Sequence, residues 1–272
     1  MKNLILALLA APLVGCGPAY ETNFSGLDLS CCIVHDSLHT PPGQAMLEGH
    51  SDLPGETSKL NDPGNGMLEM VAAAPPSGTV AAGLAGTIGV YSTQLSFGPN
   101  GPGQAYLISA TLQRPTRTLS PNAWSILLIM REPETPHDDL NGARIQLSMR
   151  TVQSPPLSQN LRSVELRVQE MTDADHTTKL PGSIELSGTP ALQDIEASKP
   201  FTMTLIINRQ KGTGTAFLST ESQTLQIPEF KMNLFTNNPN DPVIHTVGAS
   251  LANTDPDNVA SVELSHFEIQ TN

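Results

Sequence analysis

Aromatic side chains are scarce in this chain: Phe, Trp and Tyr make up 4% of 272 residues, and Trp124 is the single tryptophan. A surface that stacks sugars or bases on rows of exposed rings therefore has little to be built from. Basic residues are scarce as well, 14 Lys and Arg against 26 Asp and Glu, for a formal net charge of −12. That balance excludes a surface made for nucleic acid or for anionic lipid headgroups, since both would be repelled on average. The 3 cysteines are too few for a disulfide-dense scaffold. No apolar run reaches the roughly 20 residues that span a bilayer; residues 4–11 are unbroken but too short. No stretch sustains the spacing of an amphipathic helix. Neither a Gly-x-Ser-x-Gly elbow nor a His-Glu-x-x-His metal motif occurs.

What the chain does have is alternation. Apolar or alternating runs at 66–73, 91–97, 105–113, 123–131, 143–151, 161–170, 183–187, 200–208, 215–219, 224–227, 230–235, 243–251 and 259–270 are bounded by turn formers. In the run at 161–170, Val164, Leu166 and Val168 fall on one face and Glu165, Arg167 and Gln169 on the other. Phe201, Met203, Leu205 and Ile207 likewise share a face, and Trp124 shares core parity with Ile126, Leu128 and Met130. About a dozen strands with polar connections predict an all-β antiparallel sandwich. Residues 27–34 alternate as one strand, and residues 39–65 read as a long loop. The glycines from Gly78 to Gly89 have the spacing of a phosphate-cradling loop but no helix follows, so a flexible or closely packed backbone is expected.

The N-terminus carries a second pattern. Lys2, the apolar run 4–11 and small Gly15 form a secretory leader. Its end, Leu13-Val14-Gly15-Cys16, resembles the lipobox of bacterial lipoproteins. The resemblance implies a signal peptide over 1–15 and a diacylglycerol on Cys16, with palmitate-type acyl chains anchoring the protein in a bacterial cell envelope. Gly17 stands where Asp would signal inner-membrane retention, so in a diderm cell the outer membrane is implied. Residues 16–25 then read as a tether and 26–272 as a single sandwich domain with a loop-rich N-terminal part. Cys31 and Cys32 are adjacent, and their Cα separation of about 3.8 Å lies below the usual disulfide span. They are either two small buried residues or a strained, reducible disulfide. With His35 and His39 they could make a metal site on a helix, but a strand would hold the histidines about 13 Å apart.

Phe201-Thr-Met-Thr-Leu-Ile-Ile-Asn-Arg209, the turn at Gly212 and Gly214, residues 215–219 and the closing Val262-Glu-Leu-Ser-His-Phe-Glu-Ile269 resemble concanavalin A-like jelly rolls, the architecture of laminin-G and legume-lectin domains. The resemblance covers roughly residues 90–270, and the fold hosts glycan binders, protein binders and glycosidases alike. The Glu-x-Asp-x-x-Glu strand motif of its retaining glycosidases is absent, and Glu165 and Glu170 fall on opposite faces. The expectation is a non-catalytic, lipid-anchored module that binds a glycan or cell-surface polymer. The alternative is a structural lipoprotein whose partner is another envelope protein; a glycoside-active enzyme ranks third. No cofactor is certain. Calcium is the one candidate ion, because loops 138–142, 237–241 and 253–258 are rich in oxygen ligands. Asn253, Asp255 and Asp257 match the first three ligand positions of an EF-hand loop, although Asn258 replaces its glycine and Leu264 its bidentate glutamate.

Overall fold

The computed structural model of the chain describes residues 18–22, 24, 27–30, 33–36, 46–50, 57–77, 85–92, 95–97, 105–113, 124–131, 144–152, 163–171, 177–179, 182–208, 211–232, 243–255 and 259–271. Strands in chain order are β1 (Pro18–Thr22), β2 (Leu27–Ser30), β3 (Ile33–Asp36), β4 (Met46–His50), β5 (Lys59–Asn61), β6 (Leu68–Ala73), β7 (Gly86–Ser92), β8 (Leu95–Phe97), β9 (Ala105–Gln113) and β10 (Trp124–Arg131). β11 (Arg144–Val152), β12 (Ser163–Met171), β13 (Thr177–Lys179) and β14 (Ile184–Glu185) lead to the helix α1 (Pro190–Glu196). β15 (Phe201–Asn208), β16 (Thr213–Ser219), β17 (Thr224–Lys231), β18 (Val243–Asn253) and β19 (Val259–Thr271) complete the chain.

Among the described residues all pairings are antiparallel and fall into two sheets. The first has 8 strands in the order β17-β16-β15-β9-β19-β6-β5, with β1 beside β19. The second has 11, in the order β13-β12-β11-β10-β18-β7-β4-β3-β2, with β14 beside β12 and β8 beside β18. The inner faces meet in one core. Phe201, Met203, Leu205 and Ile207 of β15 are at most 1% exposed, as are Ile126, Leu128 and Met130 of β10. Each such side chain contributes about 1.5–3 kcal/mol by leaving water, and the alternation that places them inward is the one visible in the sequence. Trp124 is 7% exposed and joins this core.

The chain passes from sheet to sheet at tight corners. A Cβ on Gly86 would collide with the Ala73 carbonyl, and one on Gly89 would stand 2.6 Å from Ser250 Cβ. Only glycine fits either place, so at these two positions the backbone is closely packed.

Several expectations need correction. Residues 16–25 are not all free tether: β1 pairs with β19, with Thr22 opposite Phe267, and Phe24 is buried in the core. Residues 27–34 form no single strand, because β2 and β3 pair with Ser30 opposite Ile33. The supposed loop 39–65 supplies β4 and β5. Runs 224–227 and 230–235 share one strand through Pro228, tolerated because β17 is an edge strand that bulges against β16. Run 91–97 is divided between the end of β7 and β8. A short helix, α1, is present where none was expected. Among the described residues no helix is long and apolar enough to cross a membrane.

Candidate functional site

The outward face of the second sheet carries the residues that alternate with the core side chains, polar on β11 and β12 and mixed on β10 and β18. On β12 these residues are Glu165, Arg167 and Gln169. They stand opposite Arg150, Ser148 and Gln146 of β11. Beyond them lie Ser125, Leu127 and Ile129 of β10, then Ala252, Ser250 and Gly248 of β18, then Thr87, Gly89 and Tyr91 of β7. On the other flank Glu185 of β14 pairs with Glu165. Three rows result: Glu165-Arg150-Ser125-Ala252-Thr87, Arg167-Ser148-Leu127-Ser250-Gly89 and Gln169-Gln146-Ile129-Gly248-Tyr91.

The first row is half-buried, whereas most described members of the other two are withdrawn from water. Ser148 is 1% exposed, Ser250 3%, Gln169 4% and Gln146 8%. Burying amides is costly unless they are bonded. The Gln146 Nε2 amide donates to Gln169 Oε1 at 3.2 Å, so part of that cost is met within the face. The charges are less well matched. Arg150 Nε lies 3.8 Å and Arg167 Nη1 3.9 Å from the same oxygen, Glu165 Oε2. Both separations exceed hydrogen-bond length. Arg150 Nε and Arg167 Nε are buried and have no hydrogen-bond acceptor. Burial lowers the pKa of Arg167 from its ordinary value, Arg150 lowers it further, and Glu165 works in the opposite direction. Two guanidiniums thus share one carboxylate, with donors to spare.

No known family pattern matches the chain, and no curated protein matches it in sequence. Solved structures do resemble it. The CBM2 module of the evolved Dit of Lactobacillus casei BL23 phage J-1 superposes with a TM-score of 0.54 at 8% identity, covering 93% of this chain and 95% of that one. The GH16 of the Bacteroides ovatus mixed linkage glucan PUL, solved with a product bound, gives 0.50 at 10% identity, over 92% and 99%. Peanut lectin gives 0.50 at 9% identity, over 84% and 97%. The fold is a concanavalin A-like jelly roll. At such identities the likeness is one of fold.

Within this jelly roll, Glu165, Arg167 and Gln169 face outward as the alternation predicts. Glu170 stands opposite Ile145 on the core side, so the two glutamates of β12 point away from each other. The pairing of Glu165 with Glu185 was not legible, because β14 is two residues long and its partner lies far upstream. Arg150 was missed for a similar reason: its role depends on β11 lying beside β12. The polar parity Gln146, Ser148, Arg150 within an otherwise apolar run was the available signal.

Asn253 and Asp255 sit at the corner between β18 and β19. Asn253 is fully buried; its Nδ2 donates to the carbonyls of Ala72 and Asp255, and its Oδ1 accepts from the Asp255 amide at 3.0 Å. Its side chain thereby ties the end of β18 to β6. Asp257 and Asn258 lie outside the described residues, as do Cys16, Cys31, Cys32, His39 and the loops 138–142 and 237–241. Among the described residues no group of three or more His, Cys, Asp or Glu is placed to hold a metal ion.

Proposed function

We propose that this protein is a non-catalytic glycan-binding module of a bacterial cell envelope, held there by lipid on Cys16. The observation that carries the binding reading is the outward face of the second sheet. Its half-buried first row, with Glu165, Arg150, Ser125 and Thr87, gives a saccharide hydrogen-bonding groups without requiring aromatic rings. The likeness in fold to peanut lectin and to the phage CBM2 module supports the same reading. The leader ending in Leu13-Val14-Gly15-Cys16 supports the anchor. Only Gly17 separates Cys16 from β1, so an anchored body would lie against the membrane. Stable attachment needs at least two acyl chains, as a diacylglycerol provides.

A glycan array probed with the soluble body tests the binding reading: retention of at least one saccharide class is expected. An array without signal, together with cross-linking to one envelope protein, would favour a protein partner instead. For the anchor, metabolic labelling with a fatty-acid analogue should mark the wild type and leave Cys16→Ala unlabelled; equal label on both would end the lipoprotein reading.

One observation favours a second reading, a glycoside-active enzyme: Glu165 and Glu185 are cross-strand neighbours on the outward face. Paired carboxylates are the machinery of glycosidases. Release of reducing ends by the wild type and its loss in Glu185→Gln would establish it.

A further inference from the structure

We infer that the ligand of the second-sheet face is an acidic saccharide, whose carboxylate or sulfate is received by Arg150 and Arg167. The inference rests on the glycan-binding reading above and names the ligand class. The chain carries 14 basic residues in 272, yet two of them converge on adjacent strands of this one face. They are not consumed there. Both contacts to Glu165 are longer than a hydrogen bond, at 3.8 and 3.9 Å. Arg150 Nε and Arg167 Nε lack acceptors. An anionic group with two or three oxygens matches the planar fork of a guanidinium, whereas a neutral hydroxyl does not.

The placement of the carboxylates gives the direction of approach. Glu165 sits between the two arginines, and Glu185 pairs with it from β14, on the side of β12 away from Arg150. On the opposite side of Arg150 the row continues through Ser125, Ala252 and Thr87, which bear no charge. An acidic sugar lying along the half-buried row of Arg150, Ser125, Ala252 and Thr87 meets Arg150 first, with Arg167 behind it, and keeps its distance from Glu185. The overall charge of −12 opposes acidic ligands only at long range, since screening at physiological salt cuts such repulsion beyond about 8 Å. Side chains on the face also differ in exposure: 35% for Arg150, 14% for Arg167 and 13% for Glu165. Arg150 is therefore the group a ligand reaches first.

The test is titration calorimetry on the full soluble body with three oligosaccharides of matched length: a polyuronate, a sulfated one and a neutral one. At least one acidic oligosaccharide should bind about tenfold or more tighter than the neutral one, with affinity falling as salt rises. Which acidic arm binds tighter assigns the anion as carboxylate or sulfate. Arg150→Gln should erase the preference, and Arg150→Lys should restore only part of it. Arg150→Lys keeps the test open if thermal melting shows Arg150→Gln misfolded. Equal or tighter binding of the neutral oligosaccharide, unchanged in the Arg150 variants, overturns the inference and leaves the glycan reading standing. Failure of all three to bind, together with a silent glycan array, removes both.

Discussion

Phe24 is held at a φ of 55°, a left-handed conformation that bulky residues avoid, and is 1% exposed. Burial in the core offsets that strain. Phe24→Ala should destabilise the protein by about 3–5 kcal/mol. Phe24→Gly should cost about 1 kcal/mol less, because glycine accepts positive φ without strain. Chemical denaturation of both variants checks this; a silent Phe24→Ala would mean that the segment is a free tether after all. Asn253 also acts through its side chain, whose amide reaches the Ala72 carbonyl. Asn253→Ala should cost about 1–3 kcal/mol by leaving a buried acceptor unpaired. Chemical denaturation in the presence of chelator measures that loss apart from any ion. Position 253 was singled out from spacing as an ion ligand; the structure gives it the second task of fastening a corner, which depends on a strand 181 residues away.

At the scale of elements, α1 shows what sequence periodicity cannot reach. Seven residues are too few to display a repeat. Its signals lay at its start: Thr189 is the N-cap, accepting from the Leu192 amide at 3.2 Å, and Pro190 follows in the first turn. Thr189→Ala should cost about 1 kcal/mol. Asp194 docks the helix on the turn between β16 and β17. It accepts from the Ser222 amide at 2.7 Å, from Ser222 Oγ at 3.1 Å and from Lys199 Nζ at 3.0 Å. Those bonds, the Ser222 amide first, hold the Asp194 carboxyl well below the ordinary value of 3.8. The folded state therefore binds this proton more weakly than the unfolded state does. Its stabilising contribution is complete above the ordinary carboxylate range and is lost as pH falls below about 4. Lys199 is shifted upward, by Glu221 first and then by Asp194. Its contribution is complete below its ordinary value of 10.5 and is lost at higher pH still. Melting temperature against pH should fall less steeply in acid for Asp194→Asn than for the wild type, and an identical slope would sink the assignment.

At the scale of the whole molecule, the strand count and the sandwich were legible because each long strand carries its own alternation. Runs such as 105–113 coincide with a strand to the residue. Pairing between strands was not legible. β19 lies between β9 on one side and β6 and β1 on the other, partners drawn from across the chain. Which polar residues meet on the outward face follows from that order, so Arg150 beside Glu165 emerged only with the structure. A core shared by both sheets should melt in one cooperative transition with a β-dominated circular dichroism spectrum, and so many long-range pairings make slow folding the expectation. Two separated transitions would divide the body. The account turns on which face receives the ligand. Ser125 faces outward beside Arg150 on the second sheet, and Thr202 faces outward on the first, opposite Thr111. Both are half-buried strand positions. The decisive measurement is the affinity of Ser125→Trp and of Thr202→Trp for whichever saccharide the wild type retains. Loss of binding in Ser125→Trp with wild-type affinity in Thr202→Trp is predicted; undiminished binding by a folded Ser125→Trp would contradict it.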